Sequence, residues 1–376
     1  MSKYLCVVGL LIGVFFDAYT QGVSYTPKYS NEFMNIGVGA RALGMGGAHV
    51  ALVDDVTATY WNPAGLMEIK SKYEGSLMHA EYFAGIAKYD YAAFAAPIDR
   101  SSHIGVSVIR FAVDDIPDTR FLYDANGAIN YNNVTFFSAA DYGFVLSYAR
   151  NVGFVEGDEV ANGLRFGSNI KVIHRNVGKF AKAWGFGIDV GAMYYLNKYQ
   201  FGLMLRDISG TYNSWSHETD LVEDIFSQTG NQIPQNATEI TLPRAILGVA
   251  RKFAFNEQFS LLATVDLDFT FDGQRNVLVG SQFGSLDPRA GMELGFKDLA
   301  FIRLGAGNVQ RVKDFSGQRY MTYQPNFGLG FVLSSVTIDY ALTDLANQSD
   351  ALYSHVFSVK VSLEKLAYNF RNYKGF

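Results

Sequence analysis

The chain has 376 residues, including 30 Phe, 23 Tyr and 37 Gly, with 18% charged residues and a net charge of −5. So mild a charge, without a basic patch, excludes a nucleic-acid binder that works by phosphate attraction. A mean hydropathy of +0.04, with no long apolar run after residue 17, excludes a bundle of membrane-crossing helices and leaves a β-protein with a lipid-facing surface.

Residues 1–20 read as a secretory signal. Lys3 supplies the charge, Leu5 to Phe16 the apolar core, and Ala18-Tyr19-Thr20 the small residues before cleavage at Gln21. The one cysteine, Cys6, lies in this segment, so the mature chain is expected to lack thiol chemistry, disulfides and thiolate metal sites. An exported, cysteine-free chain of this composition fits the bacterial outer membrane.

Residues 21–70 then form a Gly/Ala-rich unit unlike anything after it. Gly44, Gly46 and Gly47 permit close backbone approach, and Asn62-Pro63-Ala64 closes the stretch. Gly44 to His49 lacks the third glycine of a dinucleotide loop and no Gly-Lys-Ser/Thr follows, so no nucleotide or other cofactor is implied. The unit reads as a hatch inside a barrel.

From residue 71 to 364 the period is two, that of strands. Trp184, Phe186, Ile188, Val190, Ala192, Tyr194 and Leu196 share one face, while Gly185, Gly187, Asp189, Gly191 and Met193 share the other. Fourteen strands are predicted, near 71–82, 86–97, 103–112, 139–150, 164–175, 183–196, 199–208, 244–254, 259–271, 288–297, 299–307, 322–333, 335–343 and 353–364. Segments of about 9–13 residues suit a tilted, membrane-spanning strand. The fold class is therefore all-β, a fourteen-stranded antiparallel transmembrane barrel. Its connections alternate between mostly short ones and long ones such as Val113–Ser138 and Ser209–Pro243. That alternation predicts short periplasmic turns, long outer loops and both termini in the periplasm, so that the hatch enters from below. Residues 365–376 form a tail. The barrel itself is expected to be monomeric in outer-membrane lipid and lipopolysaccharide.

The lumen face should carry Arg165, Lys171, Arg175, Asp189, Arg206, Asp266, Asp268, Glu293, Arg303 and Asp339. Mixed signs on neighbouring strands point to ion pairs that hold the hatch, since an unpaired buried charge costs several kcal/mol. A continuous apolar track is not apparent on this face. The connection at 209–243 contains Tyr212, Trp215, Leu221, Val222, Ile225 and Phe226, readable either as a lid over the barrel mouth or as a partner-binding surface. Asp114, Asp115, Asp118 and Asp124 lack calcium-loop spacing, and the six His show no ligand spacing, so no metal site and no catalytic site is assigned.

The run Gly39–Ala48, with Val50-Ala51, Asp54-Asp55 and Tyr60-Trp61-Asn62-Pro63-Ala64-Gly65-Leu66, resembles the start of the PorV/PorQ family of Bacteroidetes outer-membrane proteins, a branch of the FadL-type barrels. The resemblance covers about 30 residues and implies a hatch-containing barrel. It further implies a non-enzymatic role as a protein-interaction component of an outer-membrane secretion, attachment or assembly complex, as in type IX secretion, with other outer-membrane proteins as partners. The alternative within the superfamily is a FadL-like transporter of hydrophobic small molecules.

Overall fold

The computed structural model describes residues 30–124, 126–152, 163–223, 226–227, 230, 236–313, 316–343 and 354–364. The signal segment, residues 21–29, the tail 365–376, Ile225 and the connection 344–353 lie outside the described residues. The strands are β1 (Glu74–Tyr82), β2 (Ala87–Pro97), β3 (Ser102–Asp118), β4 (Thr135–Val152), β5 (Leu164–Val177), β6 (Ala181–Leu196), β7 (Tyr199–Arg206), β8 (Thr211–His217), β9 (Thr238–Thr241), β10 (Arg244–Ala254), β11 (Phe259–Thr270), β12 (Val279–Gly280), β13 (Ser285–Phe296), β14 (Ala300–Lys313), β15 (Arg319–Leu333), β16 (Val336–Thr343) and β17 (Ser354–Ser362). Every pairing is antiparallel, and β1 pairs with β17 from Glu74↔Ser362 to Glu81↔His355, which closes the cylinder. The two-residue β12 sits in a connection, and β8 and β9 prolong the wall beyond β7 and β10. The closed wall therefore has the expected fourteen strands.

Period-two alternation explains the cylinder. On β6, Trp184 and Phe186 face outward and are exposed, while Gly185, Gly187 and Asp189 face inward and are buried. The outward aromatics Tyr148, Tyr194, Tyr199, Phe259, Phe296 and Phe331 ring the end with the short turns, as a membrane-interface girdle does. With both faces satisfied in this way, the barrel is a membrane-spanning one of the outer-membrane kind.

Several strands run further than expected. β3 reaches Asp118 because a bulge between Val113 and Ile116, with Asp115 at φ 56°, absorbs a register shift. A second bulge between Gly307 and Gln310, with Asn308 at φ 51°, carries β14 to Lys313. A bulge breaks the alternation, so the sequence pattern stops where the strand does not. The expected strand 199–208 ends at Arg206 and resumes as β8 after a left-handed Asp207 (φ 54°) and Gly210 (φ 70°). Opposite this kink, Leu242-Pro243 interrupts the neighbouring strand, where Pro has no N–H to give the ladder. The region read as a 209–243 loop is thus partly barrel wall.

The described part of the hatch begins high in the lumen and descends through it; how the chain enters the lumen falls on residues 21–29, outside the described residues. Ser30 and Asn31 lie high in the lumen against β8 and β9, where Asn31 Nδ2 donates to Thr241 Oγ1 at 2.8 Å and Asn213 Nδ2 donates to Asn31 Oδ1 at 2.8 Å. The chain then descends through short helices at Ala40–Gly44, Ala58–Trp61 and Pro63–Glu68. It reaches the short-turn end at Ile69 and enters β1 there.

Candidate functional site

The hatch is seated on wall positions that have no side chain. A Cβ at Gly167 would lie 2.8 Å from Pro63 Cβ, one at Gly202 2.7 Å from Ala51 Cα, and one at Gly291 2.7 Å from Met45 Cβ. From the hatch side, Gly46 (φ 70°) comes so close to β14 that a Cβ there would meet Ala306 N at 2.7 Å. The Gly-rich motif is therefore a backbone-to-backbone fit between two glycine surfaces, as its composition suggested.

Asn62 is the pivot of the Asn-Pro-Ala motif. It is fully buried, its Oδ1 accepts from Ala64 N at 3.2 Å, and its Nδ2 donates to Val50 O at 3.0 Å and to Ala192 O of β6 at 3.2 Å. One side chain thus caps the helix at Pro63, ties the hatch to itself and ties the hatch to the wall. Pro63 suits the first helical turn, where its missing N–H costs nothing, and Ala64 keeps the helix thin beneath β4 and β5. Asn62→Ala removes the cap and strands the carbonyls that Nδ2 satisfies, so we expect a loss of about 2–3 kcal/mol. The heat-modifiable electrophoretic shift should then convert at lower temperature. Asn62→Asp keeps the cap acceptor but sets a buried carboxylate oxygen against the Val50 and Ala192 carbonyls, so it should lose at least as much as Asn62→Ala.

The lumen charges pair, many of them with the hatch. Arg303 of β14, 2% exposed, bridges Glu293 (2.6 Å) and Asp339 (2.6 Å), and Glu293 also holds Arg41 of the hatch at 2.9 Å. Lys171 lies between Asp189 (2.6 Å) and Asp207 (2.5 Å). Asp266 accepts the backbone N–H groups of His49 (2.7 Å) and Val50 (2.9 Å). Arg206 donates to Tyr60 O at 3.0 Å and covers the Tyr60 ring at 4.4 Å. Asp268 pairs with Arg244 and Arg289, Arg175 with Asp141, and Arg165 with Glu68. All ten charges expected in the lumen face inward, in separate clusters rather than one network. Sequence reading missed Arg244, which shares the face of Ile246 and Gly248 and could have been found by parity. It also missed Asp207, which sits in the kink where parity fails, and the hatch charges Arg41 and Asp55, whose partners are remote in sequence.

Four hatch contacts cross the seam where the barrel closes. Gly39 N donates to Met78 Sδ and Val56 N to Glu74 Oε1 (2.8 Å) on β1, while Ala40 N donates to Ser358 Oγ (3.1 Å) and Lys360 pairs with Asp55 (3.1 Å) on β17. Burial favours the neutral form of the Asp55 carboxyl, but Lys360, with help from Arg41 and a Thr57 hydroxyl, holds it below the usual carboxylate range.

His49 is buried edge-on against Trp61, with ring centroids 5.7 Å apart. Burial, reinforced by the Arg41 charge, pushes its imidazole down to about 4. An unfolded His protonates near 6.5, so between these values the unfolded chain binds more protons than the folded one. Stability is then full above pH 6.5 and falls as the pH drops toward 4, by up to about 3 kcal/mol. The unfolding midpoint should drop between pH 7.5 and 4.5, and His49→Gln should flatten this acid limb.

Above the hatch lies a cavity of about 690 Å³. Its apolar part includes Ile36, Leu43, Trp61, Tyr82 and Phe83, and its polar part includes Arg244, Arg275, Arg289, Asp268 and Asp287. The floor is hatch and the wall runs from β10 round to β16 and the end of β1, on the side of the long connections.

The residues expected to form one partner-binding loop are dispersed. Tyr212 and Trp215 stand on β8, Tyr212 exposed and Trp215 beneath the Arg175 guanidinium at 5.0 Å. Leu221 closes a single helical turn, with its carbonyl accepting from Arg120 Nη1 at 2.5 Å, Phe226 N donates to Val222 O at 2.9 Å, and Ile225 is outside the described residues. The acidic positions are also spread out: Asp114 pairs with Lys88 (2.8 Å), Asp118 with Arg120 (2.6 Å), and Asp124 accepts from Asn126 N and Ala128 N in its own turn.

No protein-family model matches the chain, and no curated protein does. Among solved structures, the CymD monoaromatic hydrocarbon channel matches with a TM-score of 0.51 over 86% of this chain and 97% of that one, at 12% identity. The Pseudomonas putida toluene transporter TodX matches with a TM-score of 0.51 over 86% of this chain and 96% of that one, at 13% identity. At such identities the likeness establishes the fold. The chain has the FadL-type barrel architecture that Asn62-Pro63-Ala64 implied.

Proposed function

We propose that the barrel is a hatch-gated passage for small molecules across a bacterial outer membrane. The observation that carries this reading is the cavity of about 690 Å³ above the hatch, large enough for a small ligand, whose floor is the hatch itself. The channels that share its fold carry monoaromatic hydrocarbons or toluene, which agrees with passage of an aromatic-sized cargo. The lining refines the sequence-derived alternative of a purely hydrophobic cargo. Arg244, Arg275 and Arg289 share the lining with Glu32, Asp268 and Asp287, beside Trp61, Leu43 and Phe83, so the preferred cargo has an apolar body and a polar, uncharged group.

Trp61 offers the test. In a Trp184→Phe/Trp215→Phe background it is the only tryptophan. Benzyl alcohol should change its emission saturably, more strongly than toluene, and should enter proteoliposomes that contain the barrel. Absence of both a saturable signal and flux for both probes would sink the reading.

A second reading is a protein-interaction component of a secretion, attachment or assembly complex, similar to PorV/PorQ. It is supported by the Gly39–Leu66 resemblance and by how completely the hatch is anchored. A gentle-detergent pulldown separates the two. Stoichiometric outer-membrane partners with unimpaired uptake in a deletion strain favour the second, and a barrel that purifies alone with uptake lost favours the first.

A further inference from the structure

The outward face of the barrel is not uniformly apolar. On β11 the outward series runs from Phe259 through Leu261, Ala263, Val265, Leu267 and Phe269 to Phe271 without a polar residue. At roughly 3.3 Å per residue and a tilt near 40°, this band is about 30 Å tall. On β1 the outward series from the same end is Tyr73, Gly75, Leu77, and then His79 and Glu81. The apolar band there ends about 15 Å up, at half the height.

His79 is part of a charged row that crosses strands at one register. It meets Asp90 at 2.7 Å, and Asp90 meets Arg110 at 3.0 Å, while Lys88 meets Asp114 at 2.8 Å just above. The cross-strand pairs His79↔Asp90 and Asp90↔Arg110 are direct neighbours, as are Glu81↔His355. The side chains are well exposed, 51% for His79 and 58% for Glu81. A basic side chain in mid-membrane on the lipid face costs about 2–4 kcal/mol. The row is abrupt, for β15, with only β16 between it and β17, stays apolar outward from Leu333 to Met321. A rigid tilt of the barrel would grade the boundary around the wall rather than step it.

We infer that phosphate-bearing lipid headgroups descend over the sector from β17 to β3 and meet His79, Glu81, Lys88, Asp90 and Arg110 about halfway up the wall, so that the barrel thins the bilayer on one side. Lys88 and Arg110 supply cations for the phosphates. The carboxylates Glu81 and Asp90 suit the ammonium groups of zwitterionic lipid. A protein occupant fits less well: four strands at about 4.8 Å and two outward positions each give roughly 200 Å², against the ~800 Å² per partner of a stable interface. The inference is independent of the cargo reading, since it concerns the outer surface alone.

The test uses single cysteines in a Cys6→Ser background, at His79, at Glu81 and at the height-matched Val265 of β11. Each is labelled with an environment-sensitive fluorophore and reconstituted in dioleoyl phosphatidylcholine vesicles. Heat-modifiable migration selects folded barrels. Labels at 79 and 81 should be quenched by aqueous iodide at least three-fold more than the label at 265, while lipid brominated deep in its chains should quench the 265 label preferentially. Equal deep-chain quenching at all three positions overturns the inference. Shielding of 79 and 81 from both quenchers, with crosslinked dimers, also overturns it and assigns the sector to a second copy.

Discussion

Replacing Arg303 by Met should destabilise the barrel by about 3–5 kcal/mol, because two buried carboxylates, Glu293 and Asp339, would lose the cation they share. Arg41 would remain for Glu293 at 2.9 Å, but Asp339 is left with no described cationic partner. The effect is electrostatic and should therefore be reversible by chemistry: adding Glu293→Gln and Asp339→Asn to Arg303→Met should restore much of the loss. Thermal unfolding in detergent, followed by the heat-modifiable shift and by circular dichroism, measures both. An Arg303→Met barrel as stable as the parent, or one that the two amide substitutions make worse, would mean that the lumen charges are not what holds this side of the wall.

The second large effect is steric. Gly305→Val would place a Cβ 2.6 Å from Met45 Cα and against the Gly46 amide, with backbone on both sides and no flexible side chain to yield. Overpacking of a well-filled core usually costs about 1–3 kcal/mol, and a clash between two backbones belongs at or above the top of that range. The barrel strands are braced by their ladder, so the hatch is the part that moves. Planar-bilayer recordings should show a closed parent and a conducting Gly305→Val variant. Gly127→Val, at a loop position where nothing lies within 4 Å of a Cβ, separates this from a general effect of losing glycine, although its φ of 76° adds local strain. A closed, normally stable Gly305→Val barrel would contradict the close fit of hatch to wall.

Much of this architecture was legible because the barrel obeys one local rule. Wherever alternation was clean, as on β6, β11 and β17, both the strand and the direction of each side chain followed from sequence, and the ten inward charges were placed by parity alone. Legibility stopped where the chain departs from the rule. The bulges at Asp115 and Asn308 hid the outer parts of β3 and β14, and the kink at Asp207–Gly210 made a continuous wall look like a strand followed by a loop. The hatch had no period to read, so its glycines and Asn62 could be recognised as a motif while their partners on β5, β6, β7 and β14 could not. The course of the hatch was illegible for the same reason: loop lengths report which end of the barrel is which, and carry nothing about where in the lumen Ser30 sits.

The four bonds from the hatch to the seam bear on how the cylinder is made. Hairpins between consecutive strands form from neighbouring sequence, whereas Glu74↔Ser362 joins the two extremes of the wall and must pay the largest loop-closure entropy of any pair. Gly39 and Val56 hold β1, while Ala40 and Asp55 hold β17. A segment that grips both edges turns a long-range search into a local one, so the hatch acts as a clasp for the final step of assembly. Chains with a weakened clasp, such as Asp55→Asn, should therefore accumulate as open, protease-sensitive sheets during refolding into lipid, even where the finished barrel is nearly as stable as the parent.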